Sequence, residues 1–280
     1  MEFEDAAGFF DQTEVADGYT SAVLFYGHTS SHDDHSSAGA TSRRRTLTTN
    51  PANVAPARGV VLVQGDRWLV GSSNIDYFLG DAVRVSFDLK KATDLATLVT
   101  PAQACLDLPG TDFYVRREWY RDQSDTMTSA SYYTMWNVFC PLSEQVHIGQ
   151  FLRMADGTLL RARNVYLAQE VLSITEADEL DADTRQAAQF ITTGRLDLAS
   201  DTQETDVIDT FVLSLDVLKY YRYAAKPDAD YQPGDRVFFV AQSALPEPKM
   251  GMQVAAGGKH WQVLQVMPEQ DAWALRVRLA

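Results

Sequence analysis

The stretch Val60–Val70, VVLVQGDRWLV, decides the fold because it places two strand-forming runs around a turn. Val60–Val63 and Arg67–Val70 are rich in residues that favour strands, and Gln64-Gly65-Asp66 between them can supply the positive φ of a tight hairpin. The following run Ala82–Leu89 alternates apolar and polar residues. A period of two predicts a strand with one face in the core and the other in water.

The C-terminal part of the chain repeats this plan. Gly258–Val263, GKHWQV, has Gly, Trp and Val at the same spacing as Gly65–Val70, GDRWLV, and an alternating strand follows each run. The spacing predicts an internal repeat of a three-stranded unit, with Trp68 and Trp261 in equivalent positions. A weaker copy lies at Phe151–Arg161, where Asp-Gly between apolar runs signals a hairpin but the tryptophan is missing.

These patterns predict a mainly β protein made of small antiparallel β-barrel or sandwich modules, with a long extended arm and one or two short helices. We expect a β module over 1–100, a middle region over 101–205 with the weaker β unit and a helix, and a C-terminal β module over 206–280. The predicted helix spans Glu176–Phe190, and a shorter one lies within Phe3–Val15.

The segment Gly27–Arg58 differs from its surroundings. It is loaded with Ser, Thr, Gly, Ala, His and Asp and contains two prolines, so we predict an irregular arm, mobile in the monomer, that orders against a neighbouring subunit. Arg43, Arg44 and Arg45 lie within it and are candidates to pair with acidic groups of an adjacent chain. The alternative is that the triplet belongs to a solvated loop.

Charge and motifs narrow the function classes. The chain has 24 Lys and Arg against 38 Asp and Glu, a formal net charge of -14, so its average surface repels phosphate and anionic membranes. The sequence contains no GxSxG, HExxH, phosphate-binding loop or GxGxxG motif. We therefore predict a protein that is not an enzyme and that needs no cofactor.

Few residues have the chemistry of a metal or redox site. Cys105 and Cys140 lack the spacing of a zinc ribbon or a disulfide scaffold and are predicted to be reduced thiols. His28, His32 and His35 have suitable ligand chemistry, but a solvated polar loop is the favoured interpretation because no fourth ligand is apparent. The N-terminus lacks the pattern of a signal peptide, which predicts synthesis in the cytoplasm.

An aromatic segment is the second candidate binding site. It contains Trp119, Tyr120, Tyr132, Tyr133 and Trp136, a higher density than a core strand needs. Aromatic side chains bury large areas and are enriched in interfaces, so the segment is predicted to form a docking surface or a carbohydrate platform. Ordinary core packing is the alternative.

Both ends of the chain resemble one family. The opening Phe9–Thr20, FFDQTEVADGYT, is similar to the start of small head-tail joining proteins of tailed bacteriophages, where a short Phe-Phe-Asp segment leads into the first strand. Gly258–Val263 together with Ala274–Leu279 resembles the closing hairpin and strand of the same group, also known as head closure, stopper or connector proteins. The middle of the chain has no counterpart in this resemblance.

The resemblance implies a structural protein of the virion neck. Identical subunits would form a ring between the portal or adaptor protein and a tail protein, assembled in the host cytoplasm. Genomic DNA would pass through the channel without sequence-specific binding, and no membrane would be involved. Two other classes remain open from the residues: a carbohydrate-binding or adhesin-like β protein that uses the aromatic segment, and a hydrolase that uses two carboxylates.

Overall fold

The computed structural model describes residues 12–35, 41–120, 135–141, 143–169, 172–180, 184–197, 202–217, 220, 232 and 234–280. In these ranges the chain is built almost entirely of antiparallel strands. The strands are β1 (Thr13–Asp17), β2 (Val23–His35), β3 (Thr41–Thr49), β4 (Val60–Val63), β5 (Asp66–Phe78), β6 (Asp81–Lys91), β7 (Asp94–Val99), β8 (Thr111–Tyr120), β9 (Met135–Pro141), β10 (Phe151–Met154), β11 (Leu159–Gln169), β12 (Leu172–Glu179), β13 (Arg185–Asp197), β14 (Thr202–Asp216), β15 (Arg236–Ala241), β16 (Gln253–Ala256), β17 (Lys259–Glu269) and β18 (Ala272–Leu279), and the helix α1 spans Pro101–Leu106.

The strands form three closed six-stranded barrels with one topology. Their orders around the barrel are β1-β2-β3-β6-β5-β4, β10-β11-β12-β9-β8-β7 and β13-β14-β15-β18-β17-β16. In each barrel two three-stranded meanders follow one another, the first strand lies beside the fourth, and the third lies beside the sixth. The prediction of a mainly β protein made of antiparallel barrels is confirmed.

The predicted repeat is present, and the two hairpins pair equivalent residues across their strands. In the β4–β5 hairpin Val61 pairs with Trp68, and in the β16–β17 hairpin Val254 pairs with Trp261. Both hairpins close with two residues at positive φ, Gln64-Gly65 in the first barrel and Gly257-Gly258 in the third. Positive φ at both positions is the geometry of the type I′ turn, whose twist matches that of the strands. The two tryptophans therefore occupy equivalent positions.

The weaker copy in the middle of the chain is also a hairpin. Phe151 pairs with Arg161 and Leu152 with Leu160, and Gly157 in the turn has a φ of 86°. Leu160 is fully buried and lies on the inner face, where the other two barrels place tryptophan. The hairpin predicted from Asp-Gly is confirmed.

Each barrel buries the inward residues of its strands. In the third barrel the cluster includes Phe190, Val212, Phe238, Trp261 and Leu275, all within a few per cent of full burial. The core of the first barrel is built in the same way from the inner positions of its strands, namely Val15, Phe25, Leu47, Val61, Val63, Trp68, Val70, Val85, Phe87 and Leu89. Burial at alternate positions is what the period of two in Ala82–Leu89 predicts.

The segment 27–58 is not the irregular arm that its composition predicts. β2 continues to His35 and pairs with β3 from His28↔Thr48 to His35↔Thr41. On its other side β3 pairs with β6, so Leu47 is almost completely buried. Threonines are β-branched and pack well on a pleated surface, which is why a Ser- and Thr-rich run forms a hairpin here. Among the described residues of this segment, 50–58, which contain both prolines, lack strand structure.

Arg58, at the end of the same segment, is bound within the chain. Its guanidinium lies 3.7 Å from the centre of the Tyr19 ring. It also donates to Glu144 Oε1 at 2.9 Å and to the Asp112 carbonyl at 2.7 Å. The ring of Tyr114 lies 5.3 Å from that of Tyr19. Residues of the first two barrels are joined by this group of contacts.

The predicted helix over Glu176–Phe190 is wrong. Glu176–Glu179 belongs to the end of β12 and Arg185–Phe190 to the start of β13. Residues 181–183 lie outside the described residues. In β13 the buried Ala188 and Phe190 alternate with the exposed Gln189, so pairing on both sides outweighs the helix propensity of the alanines. Of the N-terminal helix, 3–11 lies outside the described residues, and Thr13–Val15 is strand.

The observed helix α1 lies between β7 and β8 and was not predicted. Thr100 and Gln103 form a reciprocal capping box, and Pro101 occupies the first turn. The Asp271 carboxylate accepts hydrogen bonds from the Ala102 amide, at 3.1 Å, and from the Thr100 hydroxyl. A carboxylate at a helix N-terminus satisfies amides that have no partner inside the helix.

Two compact units divide the chain. The first comprises Met1–Ala96, Asp112–Ile148 and Ala162–Ala177, and the second comprises Thr97–Thr111, Gly149–Arg161 and Asp178–Ala280. By strand order, the chain passes from one barrel to the next between Lys91 and Asp94 and between Glu179 and Arg185. The module boundaries predicted from the sequence were 100–101 and 205–206, each later in the chain than the corresponding change of barrel.

Candidate interaction surfaces

Among the described residues, the strongest candidates for metal or acid–base chemistry contribute to the fold. Among the residues described, no cluster of three or more His, Cys, Asp or Glu could hold a metal ion. The Asp235 carboxylate accepts hydrogen bonds from Arg276 and Arg278 and is 1% exposed. A buried carboxylate between two guanidiniums supports the fold and is not presented to a substrate.

Both cysteines are free thiols. Each is completely buried, and Cys105 donates to the Phe239 carbonyl at 3.2 Å. Burial raises the pKa of Cys105 and of Cys140 to about 12, so neither forms a thiolate near neutral pH.

We expect both thiols to resist iodoacetamide in the native protein near neutral pH and to react fully in denaturant, because alkylation requires the exposed thiolate. Intact-mass measurement before and after denaturation checks this result. Modification of either cysteine in the native chain would contradict the burial that the structure gives it.

The arginine triplet, predicted as an interface, lies in the β2–β3 hairpin. Arg43, Arg44 and Arg45 pair through the backbone with Asp33, His32 and Ser31 in turn. The side chains of Arg43 and Arg44 lie outside the described part of the structure. Arg45 places its guanidinium 4.9 Å from the centre of the Trp68 ring and donates to Gln64 Oε1 at 2.8 Å. Arg45 is therefore used within the first barrel, and pairing of the triplet with another chain stays a prediction.

The aromatic segment is only partly described. Trp119 on β8 and Trp136 on β9 are direct cross-strand partners, with Trp119 60% exposed. The Arg117 guanidinium lies 4.6 Å from the Trp136 ring centre. Tyr120 belongs to β8, but its side chain is outside the described set, and Tyr132 and Tyr133 lie outside it altogether. The structure brings the two tryptophans together, while a role of all five residues in binding stays a prediction.

Among the described residues, a run of large exposed apolar side chains that sequence reasoning missed lies at the end of the β5–β6 hairpin. The β5–β6 hairpin pairs with β3 only as far as Val85↔Thr49, so its end is a two-stranded ribbon beyond the barrel wall. We call this end, residues 75–83, the β5–β6 tip. It exposes Tyr77 to 66%, Phe78 to 58% and Leu79 to 91%. Consecutive exposed side chains of this size mark an interaction site more often than single ones do.

The turn of the β5–β6 tip holds leucine in an unfavourable conformation. Leu79 has a φ of 50° and is followed by Gly80 with a φ of 93°. Turns of this kind strongly favour Asn or Asp at the first position, because a bulky L-residue at positive φ is strained. A strained backbone that points an apolar side chain into solvent is typical of a functional position.

Replacing Leu79 with Asn is expected to raise the free energy of unfolding of the first compact unit by roughly 1 kcal/mol, since Asn tolerates the left-handed region. Leu79→Ala, which removes the apolar side chain without relieving the backbone, is the matched control and should not stabilise. Urea unfolding of the full chain measures both variants. An Asn variant no more stable than the wild type would contradict the strain.

The third barrel carries a groove of about 520 Å³ on its outer surface. Its lining includes Ala187 from β13, Asp209 and Phe211 from β14, and Gly257, Gly258 and Lys259 at the turn of the β16–β17 hairpin. Phe211 is half-exposed, and the Arg185 guanidinium lies 4.0 Å from the centre of its ring. The groove thus has an aromatic wall, small residues on its floor and a lysine at its rim.

Comparison of equivalent positions explains why the groove belongs to the third barrel. Strand registers align Ala187 with Glu14 of the first barrel and Gly257 with Gln64. The first barrel thus has a larger side chain at both positions. A Cβ added at Gly258 would meet no atom within 4 Å, so the turn opens directly onto the groove.

No family model, curated protein or solved structure matches the chain. In the described residues, no helix is long and apolar enough to cross a membrane.

Proposed function

We propose that this chain is a non-enzymatic structural protein of the phage neck, which connects the head to the tail as part of an oligomeric ring around the DNA channel. The observation that carries the proposal is the exposed apolar β5–β6 tip on a rigid barrel. Large apolar side chains that project from a barrel bury much area when a protein partner covers them.

Three further features support this function. Tandem closed barrels supply rigid modules from which hairpins project, a suitable architecture for joining protein layers. The formal net charge of -14 suits a conduit that lets a DNA duplex pass without trapping it. The residues at both chain ends resemble head-tail joining proteins, as described above.

Localisation in particles tests the proposal directly. An antibody against the full chain, applied to phage particles from the producing cell, should label the junction of head and tail in electron micrographs. Particles formed without the chain should have separated heads and tails. Label confined to tail fibres, or complete particles formed without the chain, would contradict a connector function.

A carbohydrate-binding function is the second candidate, and the exposed Trp119 beside Trp136 favours it. Aromatic faces stack on sugar rings, and a pair on one sheet face could hold a short glycan. A glycan array with the full chain and with a Trp119→Ala variant separates the two functions. Binding that the variant loses would support the glycan function, and absence of binding by the wild type would exclude those glycans.

A further inference from the structure

We propose that the β5–β6 tip of one copy of this chain docks into the third-barrel groove of a second copy. The inference rests on the proposed function, because it names the partner that the exposed tip binds during assembly. The contact joins two different surfaces of identical chains, and such a heterologous contact generates a ring when its rotation closes and a filament when it does not.

Size and shape fit this pairing. Pockets of about 300–1,000 Å³ bury a drug-sized molecule, and the groove of about 520 Å³ falls within that range. It therefore has room for Phe78 and Leu79, the two apolar residues at the turn of the tip. A Cβ added at Gly258 would meet no atom within 4 Å, so the incoming hairpin can approach the backbone closely there, whereas the Gln186 side chain already lies beside Gly257. Phe211 offers an aromatic wall to Phe78.

Charge also fits the pairing. Asp81 flanks the tip and Lys259 the groove, both exposed, and neither has an ion-pair partner within the ranges that the structure describes. Arg84, next to the tip, already pairs with Asp76, and Asp209 at the groove already accepts from Gln189 at 2.9 Å. The charges left for the contact are therefore the Asp81 carboxylate of the tip and the Lys259 ammonium of the groove, which have opposite signs. Complementary charges at the rim fix register and suppress wrong partners.

The tip is better suited to a protein surface than to a membrane. Asp76 and Asp81 lie beside its apolar residues, and the chain has a formal net charge of -14. Both oppose insertion into an anionic bilayer. Every copy of the chain carries both the tip and the groove. The groove is therefore always present at the same concentration as the tip, which favours self-association.

Disulfide trapping between two variants tests the contact. One full chain carries Leu79→Cys and the other, with an affinity tag, carries Ala187→Cys; the native thiols are completely buried and do not interfere. On mixing under mild oxidation we expect a heterodimer linked between the two new cysteines, identified by mass spectrometry. Val54→Cys, at a site 78% exposed, replaces Leu79→Cys in the control and should give only background cross-linking. A heterodimer yield no higher than that control would overturn the proposal.

Self-association of the unmodified chain provides the second measurement. Sedimentation of the wild type should show concentration-dependent oligomers, and Phe78→Ser combined with Leu79→Asn should weaken association about thirtyfold, as expected for a buried hot spot. Lys259→Glu should weaken it too, and Asp81→Lys in the same chain should restore it. A wild type that remains monomeric at its solubility limit would overturn self-docking.

The two levels of the proposal fail in different ways. Cross-linking at background level together with antibody label at the head-tail junction would reject the groove and keep the neck function. Efficient cross-linking without label at the junction would keep the self-contact and reject the phage neck.

Discussion

Replacing Asp235 with alanine is expected to destabilise the third barrel by about 3–5 kcal/mol, because it leaves two guanidiniums without their buried partner. Asp235 Oδ2 accepts from Arg276 at 2.8 Å and Oδ1 from Arg278 at 2.8 Å. Arg276 is almost as deeply buried as the carboxylate. Urea unfolding followed by tryptophan fluorescence measures the loss.

The control for this variant is Asp209→Asn in the same barrel. Asp209 is exposed and accepts from Gln189, so its loss should cost under about 1 kcal/mol. If Asp235→Ala unfolds within experimental error of Asp209→Asn, the buried ion group does not stabilise the barrel.

The same carboxylate predicts a dependence of stability on pH. Burial acts to raise the pKa of Asp235, but hydrogen bonds from Arg278 and Arg276 outweigh it and lower the pKa from 3.8 to about 2. Because the folded-state pKa is depressed, the stabilisation of roughly 2 kcal/mol is complete above the unfolded pKa and disappears as the pH falls through the folded one. Between about pH 5 and pH 2 the difference in stability between wild type and Asp235→Asn should shrink.

Replacing Trp261 with alanine is expected to cost about 3–5 kcal/mol, the usual range for removing a buried aromatic residue. Trp261 is 5% exposed, packs edge-on against Phe238 at 5.4 Å between ring centres, and donates from its indole nitrogen to the Ala256 carbonyl at 3.2 Å. Trp68→Ala should have an effect of similar size in the first barrel. Denaturant unfolding of each variant measures both losses.

Trp119→Ala is the matched control, because Trp119 is a strand tryptophan that is mostly exposed. Its loss should cost well under about 1 kcal/mol. The milder changes Trp68→Phe and Trp261→Phe separate the hydrogen bond from the packing, since the indole nitrogen of Trp68 has no hydrogen-bond partner among the described residues. Trp261→Phe should cost about 1 kcal/mol more than Trp68→Phe. Equal losses would assign the whole effect to packing.

The parts of the fold that sequence predicted are those in which local pattern and tertiary structure agree. Gln64-Gly65 between strand-forming runs, and the matching Gly257-Gly258, specify both the turn and the register of their hairpins. The alternation correctly places Val85, Phe87, Leu89, Leu275 and Val277 in the core, but Val83 and Leu279, at the ends of the same two runs, are exposed to 42% and 51%. The shared spacing of Trp68 and Trp261 predicted the repeat that the strand order now extends to all three barrels.

The errors come from places where pairing outweighs local preference. Residues 27–58 read as an irregular polar arm, yet β3 pairs with a strand on each side, and its residue Leu47 is almost completely buried. The alanines of β13 favour helix in isolation, but strands lie on both sides of them. In contrast, α1 had a readable signal in Thr100-Pro101 followed by Gln103, a capping box with proline in the first turn.

The candidate site was less predictable than the fold. Tyr77-Phe78-Leu79 reads as an ordinary apolar run, and only the short pairing of β6 with β3 leaves these residues outside a barrel. The one local signal was leucine before Gly80 in a tight turn, where Asn is expected. The groove had no signal in its own sequence, because it depends on small residues from three separate strands.

The strand order has a consequence for how the protein is made. Each barrel takes its strands from one uninterrupted stretch of chain, and the first is complete at Lys91 before the second begins at Asp94. A ribosome that adds about 5–20 residues per second gives a small barrel time to close before its successor emerges. Chains with several copies of one topology are otherwise prone to exchange strands between copies, and sequential synthesis limits the partners available to each nascent strand.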